Sequence, residues 1–104
     1  MSETKIIRAI LENYRTVAVV GLSKDPSKDS YDVAQFLKSR RYHIIPVNPI
    51  ADKILGEKSY PSLLELPEDL KKTVEIVDIF RRPEDVPPIV DQAIQLKQKY
   101  GKPH

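Results

Sequence analysis

The amino-acid sequence predicts an α/β protein with a doubly wound parallel sheet and helices on both faces, which gives three layers. Apolar runs of strand length alternate along the chain with segments whose apolar residues recur at helical spacing. The runs are continuously apolar, as is typical of parallel strands buried on both faces. Since strand–helix–strand connections are right-handed, the alternation predicts the strand order 3-2-1-4.

Three apolar runs are predicted as the main strands: TVAVVG at 16–21, HIIPVNP at 43–49 and TVEIVDIF at 73–80. The two prolines of the second run suit the end of a strand rather than its middle. A very short strand is predicted near Lys58 to Tyr60, and Pro61 then opens a turn or two of helix.

Helical spacing of apolar residues predicts three longer helices. The first lies within residues 2–15, and the second begins at Ser30 and ends in the basic segment KSRRY, which suits the negative end of the helix dipole. The third lies within 81–101 and ends at Gly101 as its C-cap. Its predicted buried face consists of Val86, Ile89, Val90, Ala93 and Ile94.

One domain spanning residues 1–104 is expected, and its sheet lacks a C-terminal strand. A final helix of this kind normally leads into a further strand, but the sequence stops at His104. The open apolar edge invites pairing with another chain. We therefore expect either a truncated form of a longer protein or a sheet completed by a second copy or a partner chain.

The composition excludes several classes of function. Seventeen basic and fifteen acidic residues give a formal net charge of +2, so no overall field attracts nucleic acid. The absence of cysteine excludes disulfides and thiolate chemistry. No membrane span and no secretory signal are found, so a cytoplasmic location is expected. The high Lys and Glu content suits a heat-adapted source.

The turn after the first predicted strand has the features of a phosphate site. In an open parallel sheet, ligands bind beyond the carboxyl ends of the strands, where the strand order reverses. Gly21, Ser23 and Lys24 follow the first strand, and Ser30 stands at the start of the next helix. The alternative interpretation is that Gly21 makes only a tight turn and that Ser30 only caps the helix.

The other two strand ends converge on the same crevice. The last strand ends at Phe80, Arg81 and Arg82, and two adjacent guanidinium groups suit a multiply charged phosphate. The alternative is that these arginines pair with nearby carboxylates. The second strand ends at Val47, Asn48 and Pro49. A nicotinamide site usually has a carboxylate there and three glycines in the first turn, so tight NAD binding is not expected.

No catalytic constellation is evident in the sequence. His43 lies within a strand pattern and His104 is terminal, so neither is placed as a general base, and no metal site is expected. Asp78 is interpreted as a carboxylate that accepts hydrogen bonds from loop amides rather than as an acid or base. Binding without catalysis of its own is therefore expected.

Four segments together resemble the small CoA-binding protein family of Rossmann-like domains. They are VAVVGLSKDPSKDSYDVAQFL, YHIIPVNP, ILGEKSYPSLLELP and VDIFRRPEDVP. The chain is also similar to the N-terminal CoA-binding domain of the succinyl-CoA ligase alpha subunit. The resemblance covers roughly residues 14 to 100, and its ordered motifs are far more specific together than singly.

The resemblance implies binding of coenzyme A or acyl-CoA. Gly21, Ser23 and Lys24 would take the phosphates, and Lys53 stands where the ligase relatives have a basic residue suited to a phosphate. Further residues implied at the adenosine part and the opposite wall are Val47, Asn48, Pro49, Phe80, Arg81 and Arg82. The ligase's active-site histidine lies on a later domain that is absent here, so its catalysis does not transfer.

Two alternative functions stay open at the level of the sequence. The chain could hold the nucleotide for a CoA-dependent enzyme whose catalytic residues belong to another chain. It could instead bind a different adenine nucleotide, such as NAD.

Overall fold

The computed structural model describes residues 15–50 and 52–101 of the chain. Of the helix predicted within residues 2–15, residues 2–14 lie outside the described residues. In chain order the elements are β1 (Thr16–Val20), α1 (Asp29–Ser39), β2 (His43–Val47), β3 (Lys53–Ile54), β4 (Glu57–Lys58), α2 (Glu68–Lys71), β5 (Ile76–Ile79) and α3 (Val86–Tyr100). Short 3-10 turns span Leu63–Glu65 and Pro83–Asp85.

The central sheet has the order β2-β1-β5, and both strand pairs are parallel. Val17 of β1 faces Ile44 of β2 on one side and Ile76 of β5 on the other. A parallel bridge between Val47 and Tyr60 adds the segment after β4 to the far side of β2. The predicted order 3-2-1-4 is therefore confirmed, with β1 at the centre.

The core is divided by the sheet into two clusters, which confirms the three layers. Alternate residues of a strand point to opposite faces, so β1 contributes to both. The α1-side cluster comprises Val17, Val19, Leu22, Ala34, Leu37, Tyr42, Ile44 and Ile54. The α3-side cluster comprises Ala18, Val20, Ile45, Val47, Leu63, Leu66, Val74 and Leu96. All five residues of β1 are buried, as its uninterrupted apolar run predicts.

Helix α3 packs on the sheet through a narrower stripe than its sequence predicts. Leu96 is buried, and Ile89, Ala93 and Tyr100 pack beside it. The prediction that Val90 and Ile94 are buried is wrong, since 40% and 47% of their surfaces are exposed. The helix ends as predicted at Gly101, which has φ 77° and donates its N–H to the Lys97 carbonyl at 2.8 Å.

Strand β5 forms one edge of the sheet within the described residues. All four of its residues are only half-buried, in contrast to the fully buried β1. No helix of the described part of the chain is long and apolar enough to cross a membrane.

Candidate functional site

An open cleft of about 280 Å³ lies at the carboxyl ends of β1 and β2. Its walls come from the two strand ends, the segment after Tyr60 and the start of α3. The lining residues are Val20, Gly21, Val47, Pro49, Pro61, Ser62, Leu63, Arg81, Asp85, Pro88, Ile89 and Gln92. Arg81 follows β5, so the cleft extends to the gap between the ends of β1 and β5, where the strand order reverses and ligands usually bind in this architecture.

The cleft is mainly apolar and has few polar groups. Pro49, Pro61 and Pro88 give it rigid walls, because the proline ring fixes its own backbone angle. Ser62, Gln92, Asp85 and Arg81 supply the hydrogen-bonding and charged atoms. Apolar walls with a few polar groups suit a heteroaromatic ring that has hydrogen-bonding edges.

Gly21 is required by the contact between the ends of β1 and β5. Its φ is +84°, and a Cβ there would overlap the Phe80 carbonyl oxygen and lie 2.9 Å from Arg81 Cδ. Its N–H donates to the Val47 carbonyl at 2.8 Å. Gly21 therefore shapes the cleft by joining three strand ends, and its amide hydrogen is already bonded within the protein.

Ser23 and Ser30 hold the turn after β1 against the start of α1. Ser30 Oγ accepts the Ser23 N–H at 3.0 Å, and Ser23 Oγ accepts the Asp25 N–H at 3.0 Å. A hydroxyl that accepts still has its own hydrogen to donate, so the half-buried Ser23 keeps a donor for an anion, whereas Ser30 is buried. Ser30 is not the N-cap, because the helix begins at Asp29 and Lys28 occupies the cap position.

The turn itself carries balanced charge. Lys24 and Lys28 are offset by Asp25 and Asp29. Hydrogen bonds from the backbone and hydroxyl of Ser27 lower the pKa of Asp25 below its ordinary value, so that carboxylate stays ionised. Attraction of an anion to this turn would therefore depend on hydroxyl and helix-start donors together with Lys24.

Asn48 links three segments at the top of the sheet. Its Nδ2 donates to the Leu22 carbonyl at 2.9 Å, and its Oδ1 accepts the Ile50 N–H at 2.8 Å. Its backbone N–H donates to the Tyr60 carbonyl at 2.9 Å. The hydrogen bonds of Asn48 thus hold in place its two neighbours in the chain, Val47 and Pro49, which line the cleft.

The two predicted arginines occupy different environments. Arg81 lines the cleft, and its Nη2 lies 3.5 Å from Asp85 Oδ2. Arg82 is 76% exposed at its side chain and pairs with Glu84 at 3.5 Å and Asp85 at 3.3 Å. Asp85 therefore contacts both guanidinium groups at the rim of the cleft. Of the two arginines, Arg81 is the one placed to reach a ligand there.

The β3–β4 hairpin lies beside the cleft and is fixed to α1. Lys38 of α1 donates to the Leu55 carbonyl and pairs with Glu57 at 2.9 Å. Leu55 and Gly56 both have positive φ, 54° and 78°, which gives the tight turn of a two-residue hairpin. Lys53, predicted as a phosphate ligand, is the exposed first residue of this hairpin.

Asp78 of β5 and Phe80, which follows β5, point to the α1 side of the sheet. Phe80 packs against the α1-side cluster, so it supports the Gly21 turn rather than lining the cleft. Asp78 faces Val19 across the strand pair and is half-buried within β5. Burial raises the pKa of Asp78 above its ordinary value, and a backbone hydrogen bond from Ile79 partly offsets this.

The structure brings four of the predicted residues to one cleft: Gly21, Val47, Pro49 and Arg81. Ser23, Lys24 and Ser30 lie together at the turn above α1, and Asn48, Lys53, Phe80 and Arg82 lie outside the cleft lining. The sequence reasoning missed Ser62, Asp85 and Gln92. Ser62 follows the Tyr60-Pro61 dipeptide at the end of the hairpin segment. Gln92 lies one helical turn after Pro88, so a helical projection of α3 would have indicated Gln92.

No group of three or more metal-ligating side chains occurs among residues 15–50 and 52–101. The carboxylates at the cleft rim are bonded to the arginines. The arrangement is suited to binding an anionic ligand that has a heteroaromatic ring.

Comparisons with known proteins agree with this geometry. A family model described as a CoA binding domain matches residues 15–100. An uncharacterized Bacillus subtilis protein, YneT, is 37% identical over 89 residues, which are 86% of this chain and 63% of that protein. An ADP-forming acetate–CoA ligase II of Archaeoglobus fulgidus is 39% identical over 62 residues, which are 58% of this chain and 9% of that protein.

A solved structure of a hypothetical protein from Pyrococcus horikoshii superposes with a TM-score of 0.79 at 37% identity. The match covers 91% of this chain and 64% of that one. The chain therefore spans just under two thirds of the length of YneT and of the Pyrococcus horikoshii chain.

Proposed function

Because the chain belongs to the CoA binding domain family, we propose that it binds coenzyme A or an acyl-CoA at the carboxyl ends of its parallel strands. The observation that carries the proposal is the cleft beside Gly21, which combines apolar proline walls with Arg81. Coenzyme A has an adenine ring, a diphosphate and a 3′-phosphate, so it needs an apolar slot and cationic donors close together.

We propose that the cleft holds the nucleoside end of the ligand, and its size supports this. At about 280 Å³ it lies just below the usual range for a complete small-molecule site. We place the adenine between Pro49 and Pro61, with Ser62 and Gln92 available to its polar edges. The diphosphate would then lie across the end of β1, within reach of Arg81 on one side and the Ser23 and Lys24 turn on the other.

The proposal does not include catalysis by this chain alone. The relative from Archaeoglobus fulgidus is a ligase, and it shares only the segment that corresponds to this domain. That likeness supports a second candidate function, in which the chain holds CoA for an enzyme whose other parts carry the reaction. To distinguish this second function from that of an enzyme complete in one chain, the protein is incubated with acyl-CoA thioesters and free thiol is measured. Release of free thiol by this chain alone would indicate a complete enzyme.

The open edge of β5 is the proposed contact for a second copy of the chain. The edge strand is half-buried, and Val90 and Ile94 expose apolar surface on α3. An unpaired strand edge with apolar neighbours favours pairing with another chain. Light scattering after size exclusion tests this: a dimeric mass is expected, and a monomer at high protein concentration would contradict it.

A thermal-shift panel tests the proposed ligand class. The ligands are CoA, acetyl-CoA, dephospho-CoA, NAD and ATP, each at the same concentration. We expect the largest increase in Tm from CoA or acetyl-CoA, because a ligand that binds only the folded state stabilises it. A shift with NAD and none with CoA would overturn the proposal.

A further inference from the structure

A carboxylate stands beside the cationic group of the cleft. Among the described residues that line the cleft, Arg81 is the one basic side chain and Asp85 is the one acidic side chain. Asp85 Oδ2 lies 3.5 Å from Arg81 Nη2. A ligand phosphate at this side of the cleft would therefore meet a guanidinium group that already has an anionic partner.

The first turn of α3 explains why the carboxylate of Asp85 is directed to arginine. Asp85 occupies the N-cap position of α3, but its side chain caps nothing. An N-cap carboxylate normally accepts the N–H of the second or third helical residue. Those residues are Pro87 and Pro88, which have no N–H. The carboxylate thus lacks its usual local donors, and its partners are Arg81 and Arg82.

The two prolines also change what the start of α3 offers to a ligand. A helix start usually binds a phosphate through its free backbone N–H groups. Pro87 and Pro88 remove two of those donors, and Pro88 itself lines the cleft. Binding of an anion at this side of the cleft therefore depends on Arg81, the group that Asp85 contacts.

The same oxygen of Asp85 has a second partner outside the cleft lining. Asp85 Oδ2 also accepts a hydrogen bond from Arg82 Nε at 3.3 Å. This bond does not involve Arg81, so Asp85 would keep a cationic partner when a ligand takes Arg81. Release of Arg81 then leaves no unpaired carboxylate at the half-buried position, which would be costly.

We propose that Asp85 is an internal competitor for Arg81, which pairs with both arginines when no ligand is bound and with Arg82 alone when a phosphate occupies Arg81. The inference rests on the proposed function and concerns the regulation of the same site. A phosphate can accept two parallel N–H bonds from a guanidinium group, whereas the contact between Asp85 and Arg81 is 3.5 Å long, so the phosphate displaces the carboxylate. The competition lowers the affinity for CoA, because the new contact replaces an existing one.

Calorimetric titration of Asp85→Asn with CoA tests the inference. Asparagine keeps the size of the side chain and removes its charge. We expect the variant to bind CoA about fivefold more tightly than the unmodified protein. This factor corresponds to about 1 kcal/mol, the upper end of what a partly exposed ion pair contributes.

Glu84→Gln is the matched control. It removes one negative charge from the neighbouring residue, which pairs with Arg82 at 3.5 Å but does not belong to the cleft lining. The side chain of Glu84 is 64% exposed, so its charge is screened by solvent and salt. The affinity for CoA should therefore change by less than about twofold in this variant.

Two double variants identify the group for which Asp85 competes. In the Arg81→Ala background, Asp85→Asn should no longer increase the affinity for CoA, because the contested cation is gone. Asp85→Asn with Arg82→Ala should bind CoA as tightly as Asp85→Asn alone, because Arg82 acts only by holding Asp85. A loss of packing at residue 85 would produce neither dependence.

Three results would overturn the inference and leave the proposed function standing. The first is an effect of Asp85→Asn no larger than that of Glu84→Gln. The second is a gain in affinity that persists without Arg81, which would indicate simple charge repulsion by Asp85. The third is weaker binding by Asp85→Asn with Arg82→Ala than by Asp85→Asn. Absence of CoA binding by both the unmodified protein and Asp85→Asn would instead overturn the proposed function, and the inference with it.

Discussion

The side-chain amide of Asn48 donates a hydrogen bond to the main-chain carbonyl of Leu22, with 2.9 Å between Nδ2 and the oxygen. This bond joins the loop after β2 to the turn after β1. A carboxylate has no hydrogen to donate to this carbonyl. A nicotinamide site usually has a carboxylate at this position, whereas here Asn48 donates a hydrogen bond. Asn48 therefore takes the place of the carboxylate that would bind ribose hydroxyls, and it also fixes the wall of the cleft.

Asn48→Asp should destabilise the protein. The carboxylate would lose the bond to the Leu22 carbonyl and place two acceptors against each other. A loss of about 1–3 kcal/mol in the free energy of unfolding is expected, since a part-buried acceptor loses its donor. Urea unfolding at neutral pH measures it, and an unchanged midpoint would contradict the proposed link.

Gly21→Ala should disrupt both the fold and the ligand site. Its positive φ disfavours any side chain, and the added Cβ would overlap the Phe80 carbonyl. Gly101→Ala is the matched control, because Gly101 has φ +77° but nothing within 4 Å of the added Cβ. The control should cost about 1 kcal/mol and Gly21→Ala at least about twice that, with weakened CoA binding. Equal losses in unfolding free energy would show that the contact with Phe80 is unimportant.

The two arginines should differ in their effect on CoA affinity. Arg81 lines the cleft, while Arg82 is mostly exposed and pairs with Glu84 and Asp85. Arg81→Ala should weaken CoA binding more than about tenfold, the loss of a charge-assisted contact, and Arg82→Ala less than about threefold. Calorimetry on both variants gives the comparison, and a larger effect at Arg82 would place the phosphates outside the cleft.

Asp78 should make the protein less stable as the pH rises through its pKa. Burial raises this pKa, so the folded state holds its proton at a pH where the unfolded state has released it. The stabilisation by protonated Asp78 is complete below the unfolded pKa and is lost above the folded one. Asp78→Asn should therefore raise Tm at pH 7 and leave it nearly unchanged at pH 3. The gain should stay below about 1 kcal/mol because the side chain is still partly in water. A lower Tm at pH 7 would contradict this.

The fold was predictable because its strands are so uniformly apolar. The run TVAVVG cannot be a surface strand, and the order of strands and helices leaves few topologies. The misassigned side chains are on α3, where Val90 and Ile94 fit the helical period but lie outside the packed stripe. The helical period predicts which face of a helix is apolar. The tilt of that helix against the sheet decides which residues of the face are buried.

The candidate site was predictable in part. Strand ends are readable in sequence, so Gly21, Val47, Pro49 and Arg81 could be placed at one crevice. The position of Lys53 depends on the register of a hairpin whose two-residue turn contains a leucine at positive φ, which residue preferences do not indicate. The separation of Arg81 from Arg82 likewise depends on where Asp85 falls in the 3-10 turn after β5.

The most direct test of the account is an NMR titration of the isotope-labelled protein with CoA. Amide shifts should cluster around the cleft, at Gly21, Ser62 and Gln92. Residues in the last turn of α3, such as Lys97, should not shift. Absence of shifts at saturating CoA, or shifts confined to the far end of α3, would contradict the proposal that this domain binds CoA at the carboxyl ends of its strands.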